Sequence, residues 1–111
     1  MLPSRIRVTK MIADVMFKNN QYVVFNELGK EIAHDWKNNL GDLVDFTDEF
    51  LLFEKNNQFF TVDDRLKEIA HEWKTSVGEF RNAVGHIVNF TKNNQIYTRD
   101  TRFKEISHRW I

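Results

Sequence analysis

A 37-residue period runs through this chain without insertion or deletion, and it limits the fold more than any other feature. KNNQYVVFNELGKEIAHDWK begins at Lys18, KNNQFFTVDDRLKEIAHEWK at Lys55 and KNNQIYTRDTRFKEISHRWI at Lys92. Nine of these twenty positions hold the same residue in all three copies: Lys-Asn-Asn-Gln, then Lys-Glu-Ile, His and Trp. One such unit cannot bury both of its faces, so neighbouring copies must stack to complete a core. The units fall at about residues 4–38, 41–75 and 78–111 of a single domain.

Apolar spacing predicts two helices per unit. Leu43, Phe46, Phe50 and Phe53 recur at helical intervals in the second unit, as do Phe80, Ala83, Ile87 and Phe90 in the third. Ile6, Thr9, Ala13 and Met16 take these places in the first. Val44, Leu51 and Leu52 widen the stripe, which implies burial on more than one side. Ser4, Asn39-Leu-Gly-Asp42 and Ser76-Val-Gly-Glu79 offer helix starts, the last with capping-box spacing.

KNNQ reads as the helix stop, because lysine suits a helix C-terminus and asparagine tolerates the left-handed conformation. Short extended linkers follow at Tyr22–Phe25, Phe59–Val62 and Ile96–Thr98. Asn26, Asp63 and Asp100 then suit the N-caps of second helices. In those helices Leu66, Ile69, Ala70 and Trp73 share a face, and the three tryptophans read as core pins. The expected fold is all-α: six helices in a short solenoid or a compact six-helix bundle.

With no cysteine, disulfides and thiolate metal sites are excluded. No apolar run exceeds four residues, so neither a membrane span nor a secretory segment is expected, and the expected location is the cytoplasm. Sixteen basic side chains balance sixteen acidic ones, but unevenly. Residues 1–41 hold 6 basic and 4 acidic side chains (+2), residues 42–78 hold 4 and 9 (−5), and residues 79–111 hold 6 and 3 (+3). No overall field draws the chain to a polyanion.

On the second helices Lys30, Glu31 and His34 recur as Lys67, Glu68, His71 and as Lys104, Glu105, His108, pointing away from the apolar face. The leading functional expectation is a non-enzymatic helical-repeat module that grips a partner protein through these nine residues. Contacts between units are the structural reading of the same trio. The alternative is a nucleic-acid binder using Lys92, Arg99, Arg102, Lys104 and Arg109 of the basic third unit. Each Glu-x-x-His pair has di-metal bundle spacing, but such a site needs converging carboxylates, so no metal and no cofactor are expected. Glu68 to Val88 has a weak helix-turn-helix outline, poor in basic groups beyond Arg81 and His86. No Gly-rich phosphate loop or marked acid–base pair suggests catalysis. Trp110-Ile111 closes an apolar face without a polar cap, which favours self-association over folding back on unit one or a longer natural chain.

Overall fold

The structure, a computed structural model, describes residues 11–111. Each Asn-Asn pair, at 19–20, 56–57 and 93–94, has φ between 52° and 63° at both residues. Two successive positive φ values make the type I′ turn of a two-residue hairpin, whose twist matches that of the flanking strands. KNNQ is therefore a hairpin rather than a helix stop: Lys18 pairs with Gln21, Lys55 with Gln58 and Lys92 with Gln95.

The all-α expectation is overturned accordingly. The described residues form three antiparallel sheets of 11 strands, and only two one-turn helices. The first sheet holds β1 (Asp14–Lys18), β2 (Gln21–Phe25) and β3 (Glu31–Trp36). The second runs β4 (Asp42–Phe46), β5 (Leu51–Lys55), β6 (Gln58–Val62) and β7 (Glu68–Trp73) in order. The third repeats it with β8 (Glu79–Val84), β9 (Ile87–Lys92), β10 (Gln95–Asp100) and β11 (Glu105–Trp110). Between sheets lie α1 (Lys37–Leu40) and α2 (Lys74–Val77). Ser4, Ile6 and Thr9 lie outside the described residues.

The helical spacing comes from β-bulges. Leu43 pairs with Phe53 and Asp45 with Leu52, so Val44 is the extra residue of β4. A bulge shifts the alternation by one, which puts Leu43 and Phe46, three apart, on one face. Arg81 does the same between Phe80 and Ala83 of β8. Ile32, Ile69 and Ile106 are the extra residues of β3, β7 and β11.

A second turn joins the last two strands of each sheet. Asp63 Oδ1 accepts from the N–H groups of Arg65 and Lys67, at 2.9 and 3.0 Å. Asn26 and Asp100 use one side-chain oxygen in the same way. The capping chemistry expected of these residues is present, but it closes an Asx turn instead of starting a helix. The turn's left-handed position falls on Gly29, Leu66 and Phe103, with φ of 76°, 63° and 64°. Leu66 and Phe103 hold that costly conformation with their side chains buried in the core.

Sheets pack face to face through two apolar clusters. Leu51, Phe53, Val62 and Leu66 of the second sheet meet Tyr22 and Val24 of the first. Its other face sends Phe50, Leu52 and Phe59 against Val88, Phe90 and Phe103 of the third. The run Phe50–Phe53 is fully buried because successive residues enter opposite clusters. The tryptophans are not core pins: Trp36, Trp73 and Trp110 are 50%, 52% and 73% exposed at the ends of outer strands.

Specific polar bonds hold the sheets in register. The Leu43 N–H donates to the Tyr22 hydroxyl at 3.1 Å. Buried Thr61 donates to the Thr101 carbonyl, and Thr47 to that of Gly85, both at 2.6 Å. Lys55 Nζ donates to the Asn38 and Asn39 carbonyls at the end of α1, and Lys92 Nζ to the Ser76 carbonyl in α2. Gly41 and Gly78 follow these helices with φ of 95° and 98°. A Cβ there would lie 2.4 Å from the Glu54 carbonyl oxygen or 2.3 Å from that of Thr91, so the close approach requires glycine.

The first strands β4 and β8 approach each other directly, while a cleft opens between the first two sheets toward their outer strands. The second and third sheets, four-stranded meanders that meet at their first strands, share this feature with neighbouring blades of a β-propeller. No helix among the described residues is long and apolar enough to cross a membrane.

Candidate functional site

The cleft between the first and second sheets has a volume of about 280 Å³. Leu40, Phe60, Val62 and Leu66 form its apolar part, while Asp35, Asn39, Lys55, Asn56 and Glu68 supply polar groups. That volume suits one side chain better than an extended small molecule. Its local origins lie in the repeat: α1 supplies Leu40, the I′ hairpin Asn56, and the bulged strand β7 Glu68.

The polar groups are unequally committed. Lys55 Nζ already donates to Asn38 and Asn39, at 2.9 and 3.3 Å. Asp35 Oδ1 accepts from Asn39 Nδ2 and the Trp36 N–H, at 2.9 and 2.7 Å. Glu68 Oε2 accepts from His71 Nδ1 at 2.7 Å. Oδ2 of Asp35 and Oε1 of Glu68 have no hydrogen-bond partner among the described residues, which leaves acceptor capacity on both carboxylates.

The Glu–His contact recurs in every sheet. His34 Nδ1 lies 2.5 Å from Glu31 Oε2, and His108 Nδ1 lies 2.6 Å from Glu105 Oε2. Residues three apart on a regular strand point to opposite faces; the isoleucine bulge places each Glu beside its His. The histidines also lie opposite Val23, Phe60 and Tyr97 across the sheet, with ring centroids 5.5 Å apart for Phe60–His71 and 5.4 Å for Tyr97–His108. Lys30, Lys67 and Lys104 stand exposed just before these strands.

The predicted helical-repeat module, gripping its partner through second helices, is thus corrected: the glutamates and histidines lie on the outermost strands of β-sheets and the lysines just before them. The five residues of the nucleic-acid alternative do not form one surface. Lys92 donates to Ser76, and Arg99 to the Phe103 carbonyl at 2.8 Å. Arg109, opposite Ile96 in register, projects from the other face of the sheet than Arg99. Arg102 Nη1 lies 3.5 Å from the Ile69 carbonyl, and Lys104 is exposed. The helix-turn-helix outline resolves into β7, α2 and β8. Among the described residues no three metal-ligating side chains gather into a site.

Six of the nine residues lining the first cleft change one repeat on, where Asp35, Asn39 and Leu40 become Glu72, Ser76 and Val77 in the second gap. Phe60, Val62 and Leu66 become Tyr97, Arg99 and Phe103. Arg99 places its guanidinium 5.6 Å from the Tyr97 ring centroid, a cation–π contact, and stands opposite Glu105 in register. Glu68 stands instead opposite Val62 and has no arginine in that place. Sequence reasoning singled out Glu68 but missed Asp35, Lys55 and Phe60. The available signal was the Val62-to-Arg99 change, whose meaning depends on knowing that both face a gap. No protein-family model, curated protein or solved structure matches this chain.

Proposed function

We propose that this protein works by binding rather than catalysis, and that its first inter-sheet cleft takes a lysine or arginine side chain from a partner protein. The supporting observation is internal: in the equivalent gap the chain places its own Arg99 guanidinium over an aromatic ring and opposite a glutamate. The first cleft keeps the aromatic residue, as Phe60, and both carboxylates, Asp35 and Glu68 in the places of Glu72 and Glu105, and has only Val62 where the arginine stands. An apolar stem against Leu40 and Leu66 with a cationic head at the carboxylates fits this lining. The net charge of −5 over residues 42–78 favours the encounter. Addition of a partner strand to β7 is disfavoured, since its bulge and charged side chains protect that edge.

The test is titration with Lys/Arg-rich peptides, followed by calorimetry, against controls with neutral citrulline and norleucine. Binding is expected to weaken with salt and to fall tenfold or more in Asp35→Asn/Glu68→Gln at unchanged melting temperature. It should fall as far in Val62→Arg, which is expected to melt lower because Val62 is buried. Equal binding of the neutral peptides, or full affinity in Val62→Arg, overturns the reading.

A further inference from the structure

The outward faces of the first and third sheets differ from the faces that pack inside the molecule, and their differences match. Within the chain, each gap sets acid near acid on its rim. Asp35 and Glu68 line the first cleft, and the repeat puts Glu72 and Glu105 at the same positions of the second. On the two outward faces these positions hold Arg109, from the third sheet, and Glu31, from the first. Only a gap between the third sheet of one copy and the first sheet of another sets opposite charges there.

A second position changes in the same sense. Val44 packs on the cluster that contains Val88. One repeat on, Val44 is replaced by Arg81; two repeats back, Val88 is replaced by Asp14. Both replacements are exposed. The first sheet keeps partly exposed Met16, Val23 and Phe25 at positions that face the core in the second sheet as Phe53, Phe60 and Val62. The third sheet's outer face is more polar, where Leu52 gives way to Asn89 beside the retained threonine, Thr98. These polar groups satisfy each other: Thr98 Oγ1 donates to Asn89 Oδ1 at 2.5 Å, and Asn89 Nδ2 to Asn82 Oδ1 at 2.8 Å. The self-association expected from Trp110-Ile111 as an apolar end therefore has a different basis, because the adjoining outer face is polar and charged.

We infer that the third sheet of one copy docks on the first sheet of a second copy, head to tail, with Arg109 facing Glu31 and Arg81 facing Asp14. The wedge between sheets gives the docking a rotation, and a heterologous contact with rotation closes into a ring when the angle allows. Propellers close with about four to eight blades. One chain contributes three sheets, so two copies give six, with two identical contacts. This inference is independent of the proposed peptide site.

Sedimentation and light scattering at low salt, over a concentration series, test it. The expected species is a discrete dimer of two 13.3 kDa chains. Arg81→Glu/Arg109→Glu and Asp14→Arg/Glu31→Arg are each expected to be monomeric alone, with unchanged circular dichroism. Mixed in equal amounts they should recover the dimer, because both contacts then pair opposite charges. A strict monomer at high concentration, a dimer indifferent to all four substitutions, or polymers growing without limit overturns the ring. Failure of the mixture to re-form the dimer overturns the assigned pairing.

Discussion

Asparagine decides the hairpins of this protein through its backbone rather than its side chain. At Asn57, φ is 63°, a region where a β-branched residue crowds its own carbonyl. Asn57→Val is expected to cost about 1–2 kcal/mol, whereas Asn57→Gly should hold or raise stability. Urea unfolding of the two variants measures this. A helix stop needs a positive φ at one residue, whereas this turn needs it at both, so Asn56→Val should cost as much as Asn57→Val. Asn26, Asp63 and Asp100 teach a related lesson. Their side-chain oxygens accept backbone N–H groups as expected, but that chemistry serves helix caps and Asx turns alike.

Among elements, bulged strands explain why periodicity misled. Val44 and Ile69 each insert one residue, so Leu43/Phe46 and Glu68/His71 acquire the three-residue spacing of a helix while lying on strands. The extended segments at Tyr22–Phe25 and Phe59–Val62 were legible as β-branched and aromatic runs, and they are strands β2 and β6. Their pairing was not legible, because it depends on partners across a sheet. The altered frame also redistributes the tryptophans. Trp73→Ala, from a side chain 52% exposed, is expected to cost about 1–2 kcal/mol, while Phe90→Ala, from a fully buried ring, should cost about 3–5 kcal/mol. Equal losses in thermal and denaturant unfolding would contradict this placement. For the candidate cleft, Glu68 was visible as part of a repeated exposed trio. Asp35 and Phe60 were not, since nothing local brings β3 and β6 to one gap.

At the scale of the whole molecule, the second sheet packs on both faces and the outer ones pack on one within a single chain. Amide exchange should therefore be slowest in β5 and β6 and fastest in β11, whose six residues are all exposed. Mass-spectrometric exchange on charge-reversed, monomeric protein gives this order without an added contact. Uniform protection across the three sheets would mean that they unfold as one unit. Sequence alone determined the three-unit plan, its 37-residue period, the need for units to stack, and the two-sided burial of Phe50–Phe53. Those properties follow from residue type and repetition, which are local. Tertiary structure decided that the units are sheets, since strand hydrogen bonds form between distant residues and bulges conceal their two-residue period. It also decided which side chains share a gap: Asp35 and Glu68 line one cleft only after two sheets pack face to face.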